Sequence, residues 1–300
     1  MTQYLAFDIG GTNLKIGLIK NKVIIDKIVE TTDKNSLVQQ VKNLIALIIA
    51  KNNLKTCDIQ KLGVGCPGIV IDGIVKESAN LNLFNCNLAE ILTNHFGIKT
   101  YVKNDADMAV LAEHTLGAGK GYENILLITI GTGIGGGIII NNKLYTGTGG
   151  AGELGHVTMY NNGITCNCGR RGCAEKYLSA VALVKRAKEI INDMPSELSS
   201  QENLTASSIE KAYLNGDECA KKIVDEYAYD LSEYLLNLCN IFRPNAIFVG
   251  GGLSYAPKII EKTVSLCKNK HFGYKNSNEV LITSAKLGND AGILGVVSVN

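Results

Sequence analysis

The chain has 300 residues, of which 46% are apolar and 19% are charged, a composition that supports more than one buried core and excludes a disordered protein. Lysines and arginines (30) and aspartates and glutamates (28) leave a net charge of only +2, which argues against attraction to nucleic acid or anionic lipid through charge alone. The first residues lack a basic segment followed by an apolar one, so no signal peptide is predicted. We therefore expect a cytoplasmic protein that has no membrane partner.

The first part of the chain predicts strands followed by helices. Three apolar runs separated by short turns are typical of consecutive antiparallel strands. They cover Tyr4–Ile9, Leu14–Ile19 and Val23–Val29. Apolar residues at helical spacing then predict a helix over Ser36–Lys51, with Asn35 or Ser36 as its N-cap. A further strand, Leu62–Val64, precedes a glycine-containing turn. Another, Lys99–Val102, precedes a helix at about 106–116.

The pattern of strand, glycine turn and strand occurs a second time in the middle of the chain. Ile125–Ile130 is predicted as a strand, Gly131–Gly137 as a turn and Ile138–Ile140 as the next strand. A third such strand, Ala246–Val249, ends in the glycines Gly250–Gly252. Two long helical stretches are predicted between these units, Ala180–Asn192 and Ser207–Phe242. The repetition predicts two related α/β halves.

The second glycine turn raises the question of a nucleotide-binding fold. Gly131, Gly133 and Gly136 match G-x-G-x-x-G, but in dinucleotide-binding folds that turn opens a helix, and here a strand follows. The chain contains no G-x-x-x-x-G-K-[ST] motif, which excludes a P-loop. A single glycine turn is most often an ordinary hairpin. Two matching turns, with hydroxyls at Thr12 and Thr132, favour phosphate binding, because bare glycine backbone lets N–H groups approach phosphate oxygens closely.

Two of these turns and three further segments resemble a known family. Asp8–Asn13 and Gly131–Gly137 are similar to the two phosphate loops of the sugar-kinase, actin and Hsp70 superfamily. The three further segments are Asn104–Ala106, Gly152–His156 and Cys166–Glu175. Together these segments resemble the ROK family (repressors, open reading frames, kinases), and the resemblance extends from Asp8 to Gly295.

The resemblance implies an α/β fold of two ribonuclease-H-like or actin-like domains with a cleft between them. Residues 1–116 and 289–300 are expected to form a smaller N-terminal domain that contains the first phosphate loop and the candidate catalytic aspartate. Residues 117–288 are expected to form a larger domain with the second phosphate loop, a zinc site and the adenosine side. By analogy with the family, we expect a homodimer.

Three of the nine cysteines lie close together in the sequence. Cys166 and Cys168 are two residues apart, and Cys173 follows five residues later, with two glycines in between that let the chain turn so that three thiolates converge on one ion. His156, ten residues before Cys166, can supply the fourth ligand. Three cysteines and one histidine suit a closed tetrahedral zinc site. A disulfide is not expected, because two cysteines at C-x-C spacing cannot pair without strain. The resemblance implies that the histidine contacts both the zinc and the sugar, and that the zinc is structural.

Phosphoryl transfer to a sugar needs a base beside the reacting hydroxyl. The resemblance implies that Asp105 is this base and accepts the proton of the sugar 6-hydroxyl; helix N-capping is an alternative use, compatible with the first. Asp107 lies in the same turn but does not match the family motif. For Glu153 and Glu175 the alternative is an exposed carboxylate. The implied sugar-contacting residues are Gly65, Pro67, Gly68, Asn80, Asn104, Asp105, Glu153, His156 and Glu175.

The resemblance also implies which residues bind MgATP. Asp8 matches the carboxylate that holds Mg²⁺ through water, and the glycines after the third strand match the turn beside adenosine. Lys15 is either a further phosphate contact or a solvated side chain. The family usually carries a tryptophan in the region of Phe84, whereas this chain has none, so we expect a different shape of sugar pocket. The implied nucleotide-binding residues are Asp8, Gly10, Gly11, Thr12, Asn13, Gly131, Thr132, Gly133, Gly250, Gly251 and Gly252.

These residues lead to one main expectation and to alternatives. The main expectation is an ATP-dependent kinase that phosphorylates a hexose at its 6-hydroxyl, with glucose as the first candidate and with Mg²⁺ and a structural Zn²⁺. N-acetylmannosamine, N-acetylglucosamine, allose and fructose are alternative substrates, because kinases for these sugars share the same motifs. A sugar-responsive regulator is an alternative from another class. However, ROK repressors carry a DNA-binding domain before the kinase-like part, and only seven residues precede Asp8, so nucleic acid is not an expected partner.

Overall fold

The structure is a computed structural model that describes residues 3–299. Strands and helices alternate along these residues, and the predicted α/β fold class is confirmed. The strands are β1 (Gln3–Ile9), β2 (Asn13–Lys20), β3 (Val23–Thr31), β4 (Lys61–Cys66), β5 (Ile69–Ile71), β6 (Ile74–Ser78), β7 (Leu83–Cys86), β8 (Thr100–Asn104), β9 (Ile125–Ile130), β10 (Ile134–Ile140), β11 (Lys143–Leu144), β12 (Ala246–Gly250) and β13 (Leu281–Ser284). The helices are α1 (Leu37–Lys51), α2 (Leu88–Phe96), α3 (Asp105–Thr115), α4 (Glu175–Leu178), α5 (Ala180–Ile191), α6 (Ala206–Leu214), α7 (Glu218–Phe242), α8 (Pro257–Cys267) and α9 (Ala291–Leu294).

Two five-stranded sheets share one strand order. The first sheet is β3-β2-β1-β4-β8 and the second is β11-β10-β9-β12-β13. When the strands of each sheet are numbered by their order along the chain, both sheets have the spatial order 3-2-1-4-5. β1 pairs with β2 in antiparallel and with β4 in parallel, and β12 pairs in parallel with both β9 and β13. The repetition predicted from the apolar runs and glycine turns is confirmed by this shared order.

Close contacts within the chain divide it into two compact units. The first unit consists of the chain up to Gly121, of Gly137–Gly152 and of the chain from Asn289 on. The second consists of Tyr122–Gly136 and Glu153–Gly288. The assignment of residues 1–116 with 289–300 and of residues 117–288 to two domains stays a prediction. None of the helices within the described residues is long and apolar enough to cross a membrane.

The core of the first unit forms where apolar side chains of the sheet and of α1 and α2 meet. Every second residue of the strands and helix residues three and four positions apart contribute side chains to it, as expected for amphipathic elements. Fully or almost fully buried members include Leu5, Phe7, Leu14, Ile16, Val41, Ile45, Ile48, Leu62, Val64 and Leu92. In α1, Ser36 occupies the predicted N-cap position, but its hydroxyl donates to the carboxylate of Asp33 rather than capping the helix.

The predicted helical stretch 207–242 is two helices instead of one. α6 ends before Gly216, which has a φ of +87°, a conformation that glycine adopts without the cost of a Cβ. Asp217 then caps α7, because its Oδ1 accepts a hydrogen bond of 2.8 Å from the N–H of Ala220. The break gives α7 its own start, and α7 continues for 25 residues.

The glycine turn predicted at 131–137 is shorter in the structure, because β10 already begins at Ile134. Gly137 lies inside the strand where the first unit packs closely. A Cβ at this position would lie 2.6 Å from the carbonyl oxygen of Ala106 and from the side chain of Val110. The glycine therefore serves close packing between strand and helix rather than the turn.

We expect Gly137→Ala to lower the free energy of unfolding by about 1–3 kcal/mol, the usual cost of overpacking, because the nearest neighbour is backbone that cannot rotate away. Urea unfolding of the purified protein measures this change. Gly131→Ala is the matched control, since a Cβ there meets no atom within 4 Å, and its effect on stability should stay below about 1 kcal/mol. Equal stability of the Gly137→Ala variant and the parent protein would show that the packing at this strand is looser than described.

Candidate active site and metal centre

The first glycine turn connects β1 to β2 and is closed by its own backbone. The N–H of Gly10 donates to the carbonyl of Asn13 at 2.8 Å, and the hydroxyl of Thr32 donates to the carbonyl of Gly10 at 2.7 Å. A Cβ at Gly10 would lie 2.9 Å from the Asn13 oxygen, so this position needs glycine. Thr12 and Asn13 are exposed at the tip, where their polar groups are accessible to a ligand.

Asp8, the carboxylate before this turn, forms an ion pair with Lys15. Nζ of Lys15 lies 2.9 Å from Oδ2 of Asp8 and 3.2 Å from the carbonyl oxygen of Asn289. Gly292 lies against the same carboxylate, since a Cβ there would be 2.9 Å from Cγ of Asp8. The sequence interpretations of Lys15, a phosphate contact or a solvated side chain, did not include an ion pair with Asp8. The pair was predictable from the register of the β1–β2 hairpin, in which Asp8 and Lys15 are direct partners.

The candidate base Asp105 is the first residue of α3, directly after β8. Asn104, rather than Asp105, is the N-cap: its Oδ1 accepts from the N–H of Ala106 at 2.8 Å and of Asp107 at 3.3 Å. The N-capping alternative for Asp105 is therefore wrong. Because the cap is supplied by its neighbour, Asp105 places a carboxylate at the positive end of the α3 dipole, where negative charge is stabilised.

The segment Gly65–Gly68 lies beside Asp105 in the first unit. Parallel pairing of β1, β4 and β8 puts Asp8 opposite Gly65 and Cys66 opposite Asn104, so the carboxyl ends of these strands meet at one edge of the sheet, a common location of reactive groups. Nδ2 of Asn104 donates to the carbonyl of Gly68 at 3.1 Å. A Cβ at Gly65 would lie 3.5 Å from Cα of Asp105.

Three further residues of the first unit bear on the candidate sugar site: a buried thiol, a candidate sugar-contacting residue and the residue in the region of the missing tryptophan. Burial, together with the nearby Asp105 carboxylate, raises the pKa of the Cys66 thiol to about 12, so this thiol is neutral. Asn80 lies next to the first glycine turn, because a Cβ at Gly11 would be 3.8 Å from Cβ of Asn80. Phe84, in the region where the family usually has tryptophan, is 61% exposed on β7.

In the second unit, Glu175 contacts the second glycine turn directly. The N–H of Gly131 donates to the carbonyl of Gly133 at 2.9 Å and closes the turn. Oε2 of Glu175 accepts a hydrogen bond of 3.0 Å from the N–H of Ile134. A Cβ at Gly133 would lie 2.5 Å from the same oxygen, so glycine is needed for this approach. Glu175 is thus a partner of the turn, and the exposed-carboxylate alternative is wrong for it.

The third glycine turn lies beside the second. β12 pairs with β9 so that Gly250 is opposite Thr129. Gly251 has a φ of +74°, and a Cβ there would lie 2.7 Å from the carbonyl oxygen of Ile130. Both the positive φ and the close approach require glycine. The parallel pair β9 and β12 therefore brings the ends of two glycine turns together at one edge of the second sheet.

The predicted zinc ligands converge in the second unit. The ligand atoms of His156, Cys166, Cys168 and Cys173 all lie within 4.8 Å of one another. Nδ1 of His156 is 3.5 Å from Sγ of Cys166, and the sulfurs of Cys168 and Cys173 are 3.6 Å apart. Tetrahedral zinc with Zn–S of about 2.3 Å and Zn–N of about 2.0 Å puts two sulfurs about 3.8 Å apart and a sulfur and a nitrogen about 3.5 Å apart. The donor set and its spacing fit Zn²⁺.

The surroundings of the cluster orient its ligands. The guanidinium of Arg170 donates to the carbonyl of His156 at 3.1 Å and to Oγ1 of Thr158 at 2.9 Å. A hydrogen bond from the backbone N–H of Arg170 lowers the pKa of the Cys168 thiol, which favours the thiolate form that binds metal. Nε2 of His156, the nitrogen away from the cluster, lies 4.0 Å from Oε2 of Glu153. The imidazole therefore faces the cysteines with one nitrogen and Glu153 with the other.

Comparison with known proteins agrees with this arrangement. The family model described as ROK family matches residues 4–299. The chain belongs to the ROK family. A glucokinase of Thermotoga maritima is 34% identical over 98% of this chain and 96% of its own length. A xylose repressor of Caldicellulosiruptor bescii is 30% identical over 89% of this chain and 68% of its own length.

A solved relative shares the fold over nearly the full chain. It is a ROK family glucokinase from Streptomyces griseus in complex with glucose and AMPPNP, with a TM-score of 0.84 and 30% identity over 98% of this chain and 97% of its own. The family identified from the glycine turns and the cysteine segment is confirmed.

Proposed function

We propose that this protein is an ATP-dependent hexose kinase that transfers the γ-phosphoryl group to the 6-hydroxyl of glucose. The observation that carries the proposal is Asp105, a carboxylate at the start of α3 beside the Gly65–Gly68 segment, in a chain that is 34% identical to a glucokinase over 98% of its length. Sugar kinases need a carboxylate in this role, because the attacking hydroxyl must lose its proton as the phosphoryl group arrives.

Asp105 accepts that proton in the proposed reaction. The dipole of α3 stabilises its ionised form, and Asn104 fixes its position because it caps the helix while its amide donates to Gly68. Asn104, Asn80 and the Gly65–Gly68 segment are proposed to bind the sugar. The buried, neutral Cys66 thiol adds no charge beside Asp105.

The glycine turns are proposed to bind the phosphates of ATP. Short turns with glycine at their closest points present backbone N–H groups, and Thr12 and Thr132 add exposed hydroxyls. Asp8 is the residue that would hold Mg²⁺ through water, and the ion pair with Lys15 orients its carboxylate. When bound, Mg²⁺ neutralises charge that develops on the transferred phosphoryl group. Gly250–Gly252 are proposed to lie beside adenosine.

Zinc is proposed to be structural in this protein. His156, Cys166, Cys168 and Cys173 would fill a tetrahedral shell, and a closed shell of this kind stabilises the fold of a loop rather than activating water. The residues that the ion would fix are His156 itself and its neighbour Glu153, together with Glu175, two residues after Cys173. All three are proposed to contact the sugar.

Glu153→Gln should raise the KM for the hexose about tenfold or more, because one hydrogen bond to a charged group contributes about 1.5–3 kcal/mol. The KM for ATP should stay within about threefold, since the residue is proposed to act on the sugar alone. Steady-state kinetics with each substrate varied in turn measures both values. A hexose KM equal to that of the parent enzyme would show that Glu153 does not bind the sugar.

A coupled assay of ADP release over a panel of sugars tests the proposed function. The panel contains glucose, N-acetylmannosamine, N-acetylglucosamine, allose and fructose, and we expect the highest kcat/KM with glucose. A higher kcat/KM for another sugar of the panel would support the kinase activity and show that this sugar, not glucose, is the preferred substrate. A sugar-responsive regulator is the second candidate, favoured by the 30% identity to a xylose repressor. Sugar binding without ADP release would support the regulator.

Two further properties belong to this proposal. We propose a cytoplasmic enzyme, in line with the expectation from the sequence, and a homodimer, by analogy with the family. Size-exclusion chromatography with light scattering decides the second, because a dimer has twice the 32.2 kDa mass of the chain.

A further inference from the structure

One face of α7 carries polar side chains that reach the segments around the metal centre. Tyr227, Asp230 and Tyr234 follow one another at spacings of three and four residues, so they lie on the same face of the helix. The two tyrosines are almost completely buried, at 0% and 1% exposure. Burial raises the pKa of both phenols well above the ordinary range, so their hydroxyls remain protonated and act as donors.

Tyr234 binds the turn between Glu153 and His156. Its hydroxyl donates to the carbonyl oxygen of Leu154 at 3.1 Å. The same oxygen accepts the N–H of Val157 at 3.3 Å, so both of its lone pairs are used inside the protein. Leu154 is itself buried, and two proposed sugar-contacting residues lie in the same turn, Glu153 directly before it and His156 two residues after it.

Tyr227, two helical turns earlier, binds the segment that carries Glu175. Its hydroxyl donates to the carbonyl oxygen of Leu178 at 2.6 Å. Leu178 is the last residue of α4, which begins at Glu175 and has only four residues. A helix this short is not stable by itself, so its position depends on contacts with neighbours. Tyr227 is one of those contacts, and Leu178 is fully buried beside it.

Asp230, between the two tyrosines, connects the same helix face to the cysteine loop. It accepts a hydrogen bond of 2.6 Å from the hydroxyl of Tyr160 and forms an ion pair with Arg186 of α5. The ring of Tyr160 packs on that of Tyr177 with centroids 4.6 Å apart. The hydroxyl of Tyr177 in turn accepts the N–H of Ile164 at 2.7 Å, two residues before Cys166.

We propose that Tyr227 and Tyr234 are positioning residues for the sugar site, because they hold the Glu153–His156 turn and α4 at a fixed spacing on one rigid helix. Seven residues of α-helix span about 10.5 Å, and each hydroxyl fixes one end of that span. Both tyrosines are buried, so neither is accessible to a substrate. Their effect is on the relative positions of Glu153, His156 and Glu175, so the proposal rests on the proposed sugar-binding role of these three residues.

Tyr227→Phe and Tyr234→Phe test this proposal, since each removes one hydroxyl and leaves the ring in place. Tyr229→Phe is the matched control, because Tyr229 lies on the same helix and is 54% exposed. We expect the Kd and KM for glucose to rise about 5–20-fold in each test variant, the order of magnitude for a lost buried hydrogen bond. The KM for ATP should change less than about twofold, and the control should match the parent protein.

Hydrogen exchange followed by mass spectrometry supplies a readout that needs no activity. Tyr234→Phe should speed exchange of the amides at 153–157 and not at 175–179, and Tyr227→Phe should do the reverse. A general loss of stability would instead speed exchange across the whole unit. Because both substitutions conserve the ring, each variant is informative alone, and Tyr234→Phe decides the question where Tyr227→Phe does not fold.

The outcomes separate this proposal from the proposed function. Glucose binding without phosphorylation by the parent protein would end the kinase assignment, while the Kd values of the variants would still decide the role of the tyrosines. An unchanged glucose Kd in a folded Tyr234→Phe variant with faster exchange at 153–157 would overturn the positioning role. A parent protein that binds none of the tested hexoses would overturn both proposals.

Discussion

Replacing Asp105 with asparagine is expected to lower kcat by roughly 10²–10⁴-fold while the Kd for glucose stays within a few-fold of the parent value. The amide keeps the size of the side chain but does not accept the proton of the 6-hydroxyl. Asn104 remains the N-cap of α3, and the asparagine side chain keeps an oxygen that can accept the N–H of Ala106, which Oδ1 of Asp105 accepts at 2.9 Å. Steady-state kinetics gives kcat, and calorimetric titration with glucose gives the Kd without turnover.

The matched control is Asp107→Asn in the same turn. Asp107 is only 7% exposed and belongs to α3, so its substitution tests whether any loss of charge in this turn lowers activity. We expect the control to keep kcat within about tenfold, with thermal unfolding followed in both variants to detect a loss of stability. Near-parent turnover in Asp105→Asn, or an equal loss in the control, would contradict the assignment of the base.

Removal of one cysteine ligand is the second change with a large expected effect. Cys168→Ser should reduce the zinc content from about one ion per chain to less than about one tenth, since structural zinc needs its full thiolate set. kcat/KM for glucose should fall at least about 100-fold, because changes at the metal surroundings alone already cost 10–100-fold. Metal analysis by plasma mass spectrometry and kinetics on the same preparation measure the two effects.

Cys57→Ser serves as the control for this experiment, because Cys57 is an exposed thiol outside the cluster. It should retain both zinc and activity. If the parent protein contains no zinc after purification under reducing conditions and is fully active, the enzyme does not need the metal. Zinc retained by the Cys168→Ser variant would show that the remaining three ligands are sufficient.

Much of the fold follows from local sequence patterns. The strands β1, β2, β3, β9 and β12 were predictable within a few residues, because each is a short apolar run that ends at a turn, with glycines after β1, β9 and β12 and polar residues after β2 and β3. The extent of β10 was not, since the three glycines at 135–137 belong to the strand, whereas glycine runs are typical of turns. The break between α6 and α7 was marked by Gly216 and Asp217, a positive-φ glycine followed by a helix cap, yet helical periodicity on both sides concealed it.

The candidate site was predictable where its residues are close in sequence. The convergence of the cysteines was predictable, because three thiols of one short segment, with two glycines between Cys168 and Cys173, can turn towards one point. The cap on α3 went to Asn104 although both Asn104 and Asp105 suit the position, and local propensity does not distinguish them. The hydroxyls of Tyr227 and Tyr234 join residues 49 and 80 positions away, and no local pattern contains such contacts. Long-range packing determined them.

Phosphorus NMR of the purified protein with MgATP and glucose shows directly whether the γ-phosphoryl group of ATP is transferred to the sugar. We expect a phosphomonoester signal of glucose 6-phosphate that grows in a 1:1 ratio with ADP, and that is nearly absent with the Asp105→Asn variant. ATP that remains unchanged with glucose and with every other sugar of the panel would contradict the proposed kinase activity, as would ADP formed together with free phosphate and no sugar phosphate.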